Sequence, residues 1–147
     1  MSKQHFQRPR PQFPARAVVT AGMPYGNKSL HFGHIGGVFI HADVFARFLK
    51  DRIGEENVLF VSGTDCYGSP IVESHRQKVA SGEFVGSLED FVVHNHTAQK
   101  STLAAYDVEL SLFAASGLGR AAVVHRQMSE HFFDTLKQHG HLRRLSA

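Results

Sequence analysis

Hydrophobic positions along this chain alternate between short continuous runs and helical stripes, and the order predicts a strand–helix–strand opening. Ala17-Val18-Val19-Thr20-Ala21 is an apolar run that predicts a first strand over 17–22. From Gly33 to Arg52 the apolar residues Ile35, Val38, Phe39, Ala42, Phe45, Phe48 and Leu49 recur at three and four, which predicts one helix. Gly54 fits its C-terminal stop. Asn57-Val58-Leu59-Phe60-Val61 reads as a strand covered on both faces. A long crossover between two such strands implies a parallel, right-handed pair. Both strands then end at one edge, with Gly22–Ser29 beside Ser62–Gly68. Open α/β sheets bind ligands at that edge.

Helices dominate the rest. Pro70–Ala80 predicts one, and Ser87 with Asp90 three residues on opens another that runs to about Tyr106. Leu110-Ser111-Leu112-Phe113 is a candidate short strand. Arg120–His139 carries Val124, Met128, Phe132 and Leu136 on one stripe, with Gly140 at its end. Two clear strands make a thin sheet for this much helix. The pattern predicts an α/β fold equal to half of a doubly wound domain.

The 147 residues suit one domain with a real core, and 42% hydrophobic with 20% charged residues is ordinary for a soluble globular protein. A formal charge of +3 suits an anionic partner such as a nucleotide or RNA, but is too mild to define a nucleic-acid surface. Cys66 is the only cysteine, which excludes an internal disulfide and a cysteine-rich zinc knuckle and fits a reducing compartment. No apolar run approaches the ~20 residues of a membrane span, so the expected location is the cytoplasm. Met1–Arg16 is basic, lacks acids and contains Pro9, Pro11 and Pro14, which would break the amphipathic helix of a transit peptide. It reads as a flexible basic lead-in. The pairs His94/His96 and His139/His141 read as solvated histidines, because residues two apart on a helix point to different faces.

The turn Gly22-Met23-Pro24-Tyr25-Gly26-Asn27-Lys28-Ser29-Leu30-His31-Phe32-Gly33-His34 carries the chemistry. Gly22, Lys28 and Ser29 sit where a phosphate-binding P-loop wants them, but Asn27 replaces the glycine before the lysine. A helix starting at Lys28-Ser29 would also enclose Gly33, Gly36 and Gly37, each costing about 1 kcal/mol relative to alanine. A start at Gly33–His34 avoids that at Gly33, whose missing Cβ would let an adenine or ribose lie against the backbone. His31 and His34 then reach toward the helix N-terminus, where the dipole and free amides favour an anion. Two imidazoles donating to a phosphate would stabilise charge that builds during attack on phosphorus.

Pro24-Tyr25-Gly26-Asn27 followed by His31-Phe32-Gly33-His34 resembles the His-Ile-Gly-His signature of class I aminoacyl-tRNA synthetases. The literal string His34-Ile35-Gly36-Gly37 lacks the second histidine. Ser62-Gly63-Thr64-Asp65-Cys66-Tyr67-Gly68 resembles the Gly-Thr-Asp-x-x-Gly segment of methionyl-tRNA synthetases. Leucyl, isoleucyl and valyl relatives usually carry Trp-Asp there, and this chain has no tryptophan. Cysteinyl enzymes need cysteine zinc ligands that Cys66 alone cannot supply.

The resemblance implies the first half of a Rossmann-like, HUP-type nucleotide-binding domain over 17–140, with 141–147 opening a connective insertion. It implies a methionine–tRNA ligase that uses ATP with Mg, methionine and tRNA(Met), with no zinc ligands in this chain. His31 and His34 would contact the ATP phosphates, and Gly33 would pack by the adenosine. Asp65 would hold the methionine ammonium, Met23 would offer backbone groups, and Tyr25 would wall the pocket. Without the motif, Asp65 reads more often as a strand-end turn or cap residue, and Tyr25 equally as turn packing. Cys66, where many relatives have glutamate, reads as a tolerated neighbour. The family's Lys-Met-Ser-Lys-Ser signature is absent from these 147 residues, so the chain is expected to be inactive alone. The alternatives are a non-catalytic ATP- or methionine-binding module and another class I synthetase.

Overall fold

The computed structural model describes residues 12–145. Strand β1 (Ala17–Thr20) leads through the signature turn into one helical run. That run opens as α1 (Phe32–His34), passes through a π-helical stretch at Ile35–Phe39, and continues as α2 (Ile40–Ile53). Gly54, at φ 95°, stops it, and a 3₁₀ turn at Glu55–Asn57 leads into β2 (Val58–Thr64). Next come α3 (Ser69–Ala80), α4 (Leu88–Ala105), β3 (Leu112–Ala115) and α5 (Gly119–Gln138). The predicted capping box opens α4: Ser87 Oγ accepts from the Asp90 N–H, and the Asp90 carboxylate accepts from the Ser87 N–H.

The sheet order is β1-β2-β3, parallel throughout, with Ala17 opposite Val58 and Val61 opposite Leu112. The candidate third strand exists, shifted to Leu112–Ala115. β2 runs three residues past its predicted end, through Ser62-Gly63-Thr64. Pairing with β3 extends it, and Gly63 makes that pairing fit, since a Cβ there would lie 2.1 Å from the Ala114 carbonyl oxygen.

Each crossover steps the same way across the sheet, so right-handed connections put their helices on one face. The core lies there, built from Val19, Phe39, Ala46, Leu49, Phe60 and Leu103. A smaller cluster of Ile71, Phe91 and Val92 joins α3 to α4. Asp43, buried on α2, accepts from the Glu109 N–H at 2.9 Å and from Arg47 Nε at 2.7 Å, tying α2 to the approach of β3.

The opposite face differs from the prediction. Val18, Leu59 and Leu112 are 64%, 53% and 56% exposed, so β2 is covered on one face only. α5 buries no residue, and Val124, Met128, Phe132 and Leu136 on its stripe are all exposed. Of the predicted lead-in, residues 1–11 lie outside the described residues, while Phe13 packs edge-on against Phe48 with ring centroids 5.8 Å apart. In the predicted connective segment, residues 146–147 lie outside them as well.

Candidate active site

The two loops at the carboxyl edge of the sheet are joined by a parallel bridge between Tyr25 and Asp65. The Asp65 N–H donates to the Pro24 carbonyl, and the Gly26 N–H donates to the Asp65 carbonyl, both at 2.8 Å. Three of the candidate residues, Met23, Tyr25 and Asp65, therefore sit on or beside one short ladder. Asp65 Oδ1 accepts from the Tyr67 N–H at 3.0 Å, so the side chain does shape a turn. Its carboxylate has no ion pair among the described residues.

Tyr25 is half-exposed beside Gly68, whose φ of 120° excludes most side chains. Met23 folds over Gly63 on the open face of the sheet; a Cβ at Gly63 would lie 3.2 Å from its methyl. With Ser62, Ala114, Val124 and His125 it lines an apolar cleft of about 750 Å³ between the sheet and α5.

The histidine pair builds the helix mouth itself. His31 is the N-cap, and its Nδ1 accepts from the Gly33 N–H at 3.1 Å. His34 Nδ1 accepts from the His31 N–H at 3.3 Å, so two imidazoles form a reciprocal capping box. Both rings spend Nδ1 as acceptor, which puts the proton of each neutral ring on Nε2. The ring centroids lie 3.8 Å apart, with the planes tilted by 36°. Burial, then His31, then Lys28 lower the His34 pKa below its ordinary value, favouring the neutral form. Gly33 has a role the sequence did not suggest. A Cβ there would lie 3.0 Å from the His31 ring, so the glycine makes room for the cap.

The helix begins at Phe32, past Lys28-Ser29, which removes the P-loop geometry. The histidine pair makes no hydrogen bond to Asp65; the turn between Tyr25 and His31 links the two groups along the chain.

The family described as tRNA synthetases class I (M) matches residues 17–146. The chain belongs to it. A methionine–tRNA ligase of Chlamydia caviae is 32% identical over 127 residues, covering 86% of this chain and 21% of that protein. One from Thermococcus kodakarensis is 33% identical over 127 residues, covering 86% of this chain and 16% of that protein. One from Saccharolobus solfataricus is 42% identical over 80 residues, covering 54% of this chain and 14% of that protein. The chain thus spans about a fifth or less of the length of these curated relatives.

Among the histidine pairs, the expectation of solvated rings fails at His96. His94 is solvent-facing beside Phe84, but His96 turns inward. Its Nδ1 lies 2.8 Å from Thr64 Oγ1, and its ring stacks on Phe113 at 5.3 Å. The two faces of α4 separate them, as their spacing required, and one face is buried. His139 and His141 flank the end of α5 with rings 6.4 Å apart. No group of three metal-ligating side chains comes together among the described residues.

Gln99 and Thr64 were not singled out by the sequence, and both are fully buried behind the signature turn. The available signal was periodicity: Phe91, Asn95, Gln99 and Leu103 recur at every fourth position, all buried. A glutamine on such a stripe needs partners.

Proposed function

We propose that this chain carries the N-terminal half of the ATP and methionine site of a methionine–tRNA ligase. The observation that carries the reading is the Tyr25–Asp65 bridge, which joins the two signature segments at one sheet edge. Family membership and the methionine–tRNA ligase names of the relatives support it. The domain is read as the first half of the nucleotide-binding fold over 17–140, with 141–147 opening the connective insertion.

In this reading the Asp65 carboxylate pairs with the methionine ammonium, a charge-assisted contact that fixes the amino acid while its carboxylate attacks the ATP α-phosphorus. Pyrophosphate leaves, and the methionyl group then passes from the adenylate to the terminal adenosine of tRNA(Met). His31 and His34, each with Nδ1 occupied as an acceptor, offer Nε2–H to phosphate oxygens and stabilise the charge that builds there. Gly33 keeps the approach to the backbone open for the nucleotide. Met23 supplies backbone groups, and Tyr25 supplies an aromatic wall beside the thioether. Magnesium arrives with ATP as part of the substrate. The reading fits the cytoplasm, where translation takes place.

ATP–pyrophosphate exchange tests it. The 147-residue chain alone should show little or no methionine-dependent exchange. A longer polypeptide that continues through Lys-Met-Ser-Lys-Ser should exchange, and Asp65→Ala in it should lose activity on the order of a hundredfold. Robust exchange by the short chain contradicts the half-site. Near-normal exchange by Asp65→Ala removes that residue from the site.

A further inference from the structure

Behind the signature turn, α4 and β2 bury a polar chain that the proposed function does not use. Thr64 Oγ1 lies 2.7 Å from Gln99 Oε1 and 2.8 Å from His96 Nδ1. An amide oxygen only accepts, so the hydroxyl proton goes to Gln99, and the hydroxyl accepts from a protonated His96 Nδ1. Gln99 Nε2 then donates its two hydrogens to the Tyr25 carbonyl at 2.8 Å and the Lys28 carbonyl at 2.9 Å. Every donor in this chain has an acceptor. The amide fits one way round only, because a flip would set its oxygen against two carbonyls.

Those two carbonyls bracket the turn. Gly26 and Asn27 form the turn between them, and the one side chain of Gln99 ties its two ends together. Tyr25 bridges to Asp65, and three residues beyond Lys28 the chain reaches His31. Gln99 and Thr64 are both wholly shielded from solvent, where each hydrogen bond is strong and each unpaired group is costly.

We propose that Gln99 is a positioning residue for this site. Oriented by Thr64 and His96, it fixes the turn that presents Tyr25 and the histidine pair. The inference rests on reading that edge as the ATP and methionine site, and acts through the turn without touching either substrate.

The test uses the 147-residue chain. Gln99→Met keeps the length of the side chain and removes both donors, while Thr64→Val removes the hydroxyl that orients the amide. Amide exchange at Gly26 reads the turn, and exchange at Phe60 and Leu103 reads the core. Gly26 should exchange about tenfold faster or more in either variant, with core protection kept, as loss of a local restraint requires. The double variant should be no worse than Gln99→Met alone, because the two residues act as one chain. Unchanged Gly26 protection in a folded variant overturns the proposal, as does equal loss of protection in turn and core. Should Gln99→Met fail to fold, Thr64→Val decides by the same criteria.

ATP titration followed on the His31 and His34 ring signals gives the functional readout. The variants should need about tenfold more ATP for the same shift, and an unchanged response overturns the positioning role. A wild-type chain whose histidine signals ignore ATP sinks the ligand reading instead. Gly26 exchange then still decides whether Gln99 holds the turn.

Discussion

His34 links the helix mouth to pH through its own hydrogen bond. Its Nδ1 accepts from the His31 N–H, so protonating that nitrogen destroys one half of the capping box. Burial and the nearby His31 and Lys28 lower its pKa in the folded chain, whereas the unfolded chain keeps the ordinary value near 6.5. Between the two values the unfolded state binds more protons, so stability rises with pH across that window. The contribution is complete above pH ~6.5 and is lost as pH falls through the folded value. His96, lowered by burial and then by Lys100, acts with the same sign. Melting temperature should be flat above neutrality and fall below pH ~6.5, with a smaller fall in His34→Gln. A variant that keeps the whole decline would assign it to other groups. The two histidines were legible in the sequence because a motif named them. Their tautomers were not, since these depend on which backbone amide each ring caps.

At the scale of elements, Gly63 decides how β2 and β3 meet. Its absent Cβ would sit 2.1 Å from the Ala114 carbonyl oxygen, a backbone atom that moves only with the strand. Gly63→Ala should therefore push β3 away and cost about 2 kcal/mol or more, read as a lower denaturation midpoint. The same change would disturb Met23, whose methyl lies over that glycine. A fully stable Gly63→Ala protein would mean that β3 is free to shift in register. The sequence revealed β1, the long helical run, α4 with its cap, and α5 to within two residues at each end. It misjudged the end of β2, because Ser62-Gly63-Thr64 lacks the apolar signal of a strand and gains its structure from pairing. It also passed over Gln99 and the inward turn of His96, because burial of one helix face depends on what packs against it.

At the scale of the whole molecule, the described residues form a sheet with one face covered. Val58, Phe60 and Val19 pack under α2 and α4, while Val18, Leu59 and Leu112 carry equally apolar side chains into solvent. The continuous apolar run in β2 is therefore misleading about burial, because the described residues cover only one side of the sheet. The stripe of α5, with Met128 and Phe132 46% and 60% exposed, adds to the same uncovered surface. Apolar area of this extent drives association at roughly 25 cal/mol per Å² once a partner removes it from water. Purified chain should self-associate with rising concentration and bind a hydrophobic dye, as sedimentation and fluorescence would record. Paired Met128→Glu and Phe132→Glu substitutions touch no core residue, so they should lower association and dye binding without lowering the melting temperature. If the wild-type chain stays monomeric and dye-free, the open face must be covered by residues of this chain itself. If the charged variants melt earlier, α5 is packed in solution rather than open.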